Sequence, residues 1–313
     1  MKEQTMFSMK PYHWALASLL VGPLSSLQAQ DNAPVSEENK AATEPSEPAI
    51  PTETQAGEIQ DASSIEAQKK GLSFAIQVAH SVGARKDVDP ATTFDVTARF
   101  KQSDVMTWSV VQRFTKLYKV DPEDEEFPAA DTSLRVGYQL FPSETGPAGT
   151  GISLGAEATL PTSQFSREQD IRTVLTGHVT ATRDFGPVSL LLRPYGRFHV
   201  NRYKTMDKDD SGTTVVRYRL GILFDATVEL PHDLSLTSSN QWVERHYEDP
   251  PYGSHAPDHD YSFDLSLGYE FDAKTSFAVG YSQGNRAEQL GTVDVYLFDE
   301  ETTQYYVSAS REF

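Results

Sequence analysis

The sequence predicts an all-β fold: a transmembrane, antiparallel, up-and-down β-barrel of about twelve strands. Three observations predict it. From Gly71 onward, apolar and polar residues alternate in segment after segment, the period of a strand with one apolar face. The connections between these segments are alternately short and long, as when strands run up and down and one end carries extended loops. Finally, no segment of that region has the run of about 18 apolar residues that marks a spanning helix.

The first 70 of the 313 residues have a different texture. Lys2 and Lys10 precede a short apolar run from Trp14 to Leu24, and Leu27-Gln28-Ala29 ends on a small residue. That order reads as a secretory signal peptide over residues 1–29. Residues 30–70 contain Pro34, Pro45, Pro48 and Pro51 and no aromatic residue. Their acids, from Asp31 and Glu37 to Asp61 and Glu66, face only Lys40, Lys69 and Lys70. Such a segment cannot bury enough apolar area to offset its ordering entropy, so a disordered acidic periplasmic arm is expected, with room for a short helix near Ser64 to Lys70.

The barrel is expected over residues 71–313. Its first strand sets the pattern: Leu72, Phe74, Ile76 and Val78 alternate with Ser73, Ala75, Gln77 and Ala79. The pattern recurs over 71–82, 93–101, 105–118, 132–141, 150–160, 170–184, 187–203, 214–229, 234–247, 260–271, 275–284 and 302–313. Long connections rich in Asp, Glu, Pro and Gly fall near 83–92, 119–131, 161–169, 204–213, 248–259 and 285–301. Between them lie tight turns at Gln102-Ser103-Asp104, Phe185-Gly186-Pro187, Pro231-His232-Asp233 and Asp272-Ala273-Lys274, with a longer one at 142–149. Phe100, Phe185, Phe271, Phe277 and Phe313 gather toward the short-turn end, and Tyr118, Trp242 and Tyr261 toward the long-loop end, as two aromatic girdles would.

The last strand, TTQYYVSASREF, places Tyr305, Val307, Ala309 and Phe313 on one face together with Arg311. A terminal aromatic after alternating apolar residues resembles the C-terminal signal of bacterial outer-membrane barrels. The resemblance implies an outer-membrane location, lipid and lipopolysaccharide as surroundings, and recognition of the strand ending in Phe313 by the barrel-assembly machinery.

If the apolar face meets lipid, the other face lines the interior. Strand 187–203 then turns Arg193, Tyr195, Arg197, His199 and Asn201 inward, and strand 214–229 turns Arg217, Arg219, Asp225 and Thr227 inward. Arg172 and His178 come from the strand before them. Hairpin pairing sets Arg197 beside Arg219 or Leu220 and His199 near Arg217, with Arg172 at a similar height. The basic patch expected to bind solute is therefore Arg172, Arg193, Arg197, His199, Arg217 and Arg219, with Arg99, Arg113, Arg135 and Arg245 as secondary lumen cations. With Lys101, ten inward bases face six inward acids: Asp95, Glu157, Asp184, Asp225, Asp264 and Glu270. The chain as a whole carries a formal charge of -18. Two like charges roughly 6 Å apart at an effective dielectric near 20 repel by about 3 kcal/mol, so acids, water or an anion must compensate such a cluster. Arginine's planar fork suits carboxylates and phosphates. In strand number and lumen charge the chain looks like the arginine-lined oligogalacturonate-type porins, which implies passage of small anionic solutes. The alternative is a narrow barrel filled by Arg paired with Glu157, Asp264 and loop acids. Twelve strands lie between the eight that side chains fill and the sixteen that leave a channel.

Other chemistry finds little support. The acidic balance argues against nucleic acid. With no cysteine, disulfides, thiolate zinc sites, iron–sulfur clusters and a lipoprotein anchor are excluded. No phosphate loop, dinucleotide fingerprint or His-Glu-x-x-His motif occurs, and no cofactor or metal is expected. The stretch from Ser254 to Asp260 offers His255, Asp258 and His259 as the residues of a rim hydrolase, against the plain reading of a solvated loop. The acidic stretches Asp121 to Glu126 and Asp299 to Glu301 offer sites for divalent ions that bridge lipopolysaccharide, although solubility explains them equally well. A non-conducting structural or adhesive barrel is the main competitor to a channel.

Overall fold

The computed structural model describes residues 71–84, 90–118, 127–168, 171–202, 215–248, 258–286, 288–289, 292–293 and 302–313. The signal peptide and acidic arm expected before Gly71, and most of the long loops with their acidic stretches and His255, lie outside the described residues. Twelve strands form the barrel: β1 Gly71–Gly83, β2 Ala91–Ser103, β3 Met106–Leu117, β4 Thr132–Phe141, β5 Thr150–Leu160, β6 Ile171–Phe185, β7 Val188–Asn201, β8 Val216–Leu230, β9 Leu234–Tyr247, β10 Asp258–Asp272, β11 Thr275–Arg286 and β12 Gln304–Glu312. Each pairs with its successor, and β1 pairs antiparallel with β12 from Ala75↔Glu312 to Gly83↔Gln304, closing the sheet. Closure satisfies every strand edge, which the hydrocarbon core of a membrane requires. A separate two-residue ladder joins Glu288–Gln289 to Thr292–Val293.

The strand faces are those the alternation prescribes. Leu134, Leu154, Val179, Leu192, Ile222 and Leu265 project outward and are each exposed. Their register neighbours from other strands continue the same belt around the barrel. So large a contiguous apolar surface is stable only against lipid or a partner. The short-turn girdle is present, with Phe100, Phe185, Phe271, Phe277 and Phe313 all exposed and the Phe271 and Phe277 rings edge to face at 6.5 Å. Tyr118 is exposed at the other end.

Two outward polar residues keep their place because their hydrogen bonds are met. Gln112 donates to the carbonyl of Ala130 at 2.8 Å and accepts from the Thr132 hydroxyl at 2.5 Å. Asn240 accepts from the Tyr261 hydroxyl at 2.8 Å.

The turns carry small departures from expectation. The β2–β3 turn lies slightly later than expected: β2 runs on to Ser103 through a bulge, and Asp104-Val105 makes the turn. At the β6–β7 turn Gly186 has φ 66°, a conformation that glycine adopts without strain. The connection near 161–169 contains a one-turn helix, α1 Gln164–Glu168, rather than coil alone. Ser163 caps it by accepting from the Ser166 amide at 3.1 Å, and Asp131 binds the Ser163 amide and the Ser166 hydroxyl.

Candidate functional site: the lumen wall

The inward face is mostly polar, with Val111, Val174, Leu223 and Val243 as apolar exceptions, and its charges fall in rows that follow the strand registers. One row runs Arg99–Ser109–Arg135–Glu157–Thr176–Arg197–Arg219–Arg245 across β2 to β9. Arg197 is thus opposite Arg219, and Arg219 opposite Arg245. Directly opposed strand positions bring Cβ atoms to about 4.5–5.5 Å, so three guanidinium side chains start from adjacent points on one wall. Arg193 stands two inward positions below Arg197 on β7, with Tyr195 between them.

These cations divide by partner. Arg113 grips Asp95 with two bonds of 2.6 Å, Nε to Oδ1 and Nη2 to Oδ2, the bidentate geometry that suits a planar fork. Arg135 donates to Glu157 at 2.9 Å, and Glu157 also accepts from Ser133 at 2.7 Å. Arg245 pairs with Asp260, and Arg99 lies 4.0 Å from Glu312. Arg193 and Arg197 also donate through Nε to threonine hydroxyls, Thr180 at 2.9 Å and Thr176 at 3.3 Å, and Arg197 lies within electrostatic reach of Glu157. Arg193 is only 8% exposed, while Arg197 and Arg219 are half-buried.

Several expectations require correction. Arg172 and Arg217 do not join the row. Register shifts at Ile171/Thr173 and Val216/Tyr218 interrupt the ladders beside them, and both arginines are exposed at the long-loop rim. Arg197 faces Thr176 on β6, four positions from Arg172. The β7–β8 ladder ends at Phe198↔Tyr218, so His199 is not laddered to Arg217; it sits buried opposite Val174, its Nε2 without a hydrogen-bond partner. Three inward acids escaped the sequence reading. Asp258 belongs to β10, which begins two residues earlier than expected, while Asp260 and Glu312 lie on the inward faces of β10 and β12 within the strands already expected. They reduce the positive excess of the wall as a whole. Asp264 pairs with no arginine; it accepts from Tyr306 at 3.0 Å.

The same early start of β10 separates the rim residues. Asp258 and His259 are consecutive strand residues and point to opposite faces. Asp258 accepts from the Tyr247 hydroxyl at 2.5 Å, whereas His259 lies beside Trp242 at 5.8 Å between ring centroids. Among the described residues they form no dyad.

Glycines decide how far the larger lumen side chains project. A Cβ on Gly221 would sit 2.2 Å from the Tyr195 ring, and one on Gly280 would sit 2.5 Å from Tyr306. Both tyrosines therefore lie flat across a glycine of the next strand. Each reaches a polar group one strand further: Gln241 donates to the Tyr195 oxygen at 2.6 Å, and Tyr306 donates to Asp264. Laid against the wall, these rings take less of the lumen than their size implies. Sequence alone signals this only as an inward Tyr opposite a strand Gly, a pairing that register must first define.

No protein-family model matches the chain, and a search of curated proteins finds no match. Solved structures do match. An outer membrane channel from Pseudomonas putida F1 aligns with TM-score 0.53 at 11% identity, over 79% of this chain and 97% of that one. The NanC porin aligns with TM-score 0.48 at 11% identity, over 76% of this chain and 98% of that one, and the KdgM porin with 0.45 at 10%, over 76% and 99%. At such identities the likeness is one of fold, and the chain has the closed twelve-stranded barrel of bacterial outer-membrane proteins.

Proposed function

We propose that this barrel is a narrow passive channel of the outer membrane that favours small anionic solutes. The observation that carries the reading is the adjacency of Arg197 and Arg219 on the inward face, flanked by Arg193 and Arg245. Arg193 and Arg197 spend their Nε donors on neutral hydroxyls. Like charges so placed repel unless an anion or water lies between them, and a passing carboxylate or phosphate supplies that charge. The flat-lying tyrosines support an open path. The solved channel and porin structures agree with such a fold without deciding what it conducts.

The test is conductance of the purified barrel in planar bilayers under a salt gradient. Single-channel current with an anion-selective reversal potential is expected. No current, or clear cation preference at neutral pH, overturns the proposal. Delivery to the membrane would use the signal peptide of residues 1–29, and insertion the strand ending in Phe313.

A second reading, a non-conducting barrel, is favoured by one set of contacts. Arg113–Asp95, Arg135–Glu157, Arg245–Asp260 and Arg99–Glu312 tie neighbouring strands together as a wall network would. It requires normal assembly with no measurable current, which the same bilayer experiment reads.

A further inference from the structure

On β10 the wall holds an anion that pairs with no cation among the described residues. Asp264 has no exposed surface, the least of any charged side chain among the described residues. Its Oδ1 accepts from Tyr306, and its Oδ2 is buried with no hydrogen-bond partner. The residue beside it on β11 is Ser282, 1% exposed, whose Oγ also lacks a partner. Both side chains face inward from directly opposed positions, so two buried oxygens without hydrogen-bond partners start from adjacent points of the wall. The row continues through buried Gln304 on β12 and, on the other side, through Ser239 to Asp225, whose carboxylate takes the Ser239 hydroxyl at 2.5 Å. No Lys, Arg or His occurs on β9 to β12 in this row or in the rows next to it, which hold Thr237, Ser266, Gly280 and Tyr306 on one side and Gln241, Ser262 and Gly284 on the other.

We propose that Asp264 Oδ2 and Ser282 Oγ hold a dehydrated small monovalent cation of the sodium class within the barrel wall. An isolated buried carboxylate costs several kcal/mol, and an orphaned hydroxyl beside it adds to that cost. One ion relieves both. The donors are all hard oxygens, and among the described residues no three His, Cys, Asp or Glu side chains gather as a transition-metal site. Calcium takes six to eight oxygens and is held by several carboxylates, whereas this point offers one carboxylate oxygen and neutral hydroxyl or amide oxygens. A single positive charge matches the single negative one. This site does not depend on whether the barrel conducts.

Thermal unfolding of the full chain, refolded in detergent, tests it. Scans in sodium, lithium, calcium and choline chlorides at equal ionic strength separate a specific ion from general screening. Sodium is expected to raise the midpoint by about 3 °C or more over choline. That rise is expected to vanish in Asp264→Asn and in the milder Ser282→Ala. Equal midpoints in sodium and choline overturn the proposal, as does an unchanged sodium response in either variant. Stabilisation by calcium alone also overturns it. An Asp264→Asn protein that is more stable in every salt, with no response to the cation, assigns the position to a buried proton instead and overturns it as well.

Discussion

Replacing Gly221 by alanine tests whether a glycine holds the Tyr195 ring against the wall. The new Cβ would lie 2.2 Å from the ring, and ordinary contact begins near 3.4 Å, so the ring must retreat by more than 1 Å. The backbone of β8 is laddered on both sides, so the tyrosine is the group that moves. Its 2.6 Å bond from Gln241 is then lost, worth roughly 1 kcal/mol. The crowding adds about 1–3 kcal/mol. Gly221→Ala is therefore expected to destabilise the barrel by about 2–4 kcal/mol, although alanine is by itself slightly better than glycine in a strand. Urea unfolding in phospholipid vesicles, followed by tryptophan fluorescence, measures it. The decisive comparison is a double-mutant cycle with Tyr195→Ala, in which the penalty should fall below about 0.5 kcal/mol because nothing remains to clash. If Gly221→Ala costs the same with and without the tyrosine, the ring-on-glycine account is wrong.

Further outcomes follow from the same wall. Arg197→Glu with Arg219→Glu should reverse the ion preference of the channel in bilayers, whereas Arg172→Glu, out on the rim, should change it far less. Breaking the bidentate pair by Arg113→Ala should cost about 3 kcal/mol or more in unfolding experiments, because Asp95 stays on the wall without its partner. Asp95→Asn in the same chain should recover part of that loss. Removing the outward ring by Phe313→Ala should slow assembly into vesicles in the presence of the assembly machinery while leaving the assembled barrel close to wild-type stability, read by the heat-induced shift in gel mobility.

The architecture was legible because it rests on local chemistry. Every strand expected from the alternation is present, with ends displaced by no more than two residues. The outward positions of Gln112 and Asn240, which break the apolar pattern, followed correctly from parity. The lumen site was legible only in part. Parity assigned Arg193, Arg197, Arg219 and Arg245 to the interior, and hairpin pairing put Arg197 beside Arg219. It failed at Arg172 and Arg217, since a bulge inserts a residue at a point that neighbouring strands choose. It also failed at Asp258, which looks like a loop acid until β9 extends the ladder to meet it.

The sequence by itself determined which face of each strand meets lipid, because a period of two places alternate side chains on opposite sides whatever the partner. Tertiary structure alone decided which cation meets which acid and which ring rests on which glycine. Those contacts join residues on different strands, and their identity depends on register. Register is set jointly by turns, bulges and the closure of β1 on β12, so no single segment encodes it.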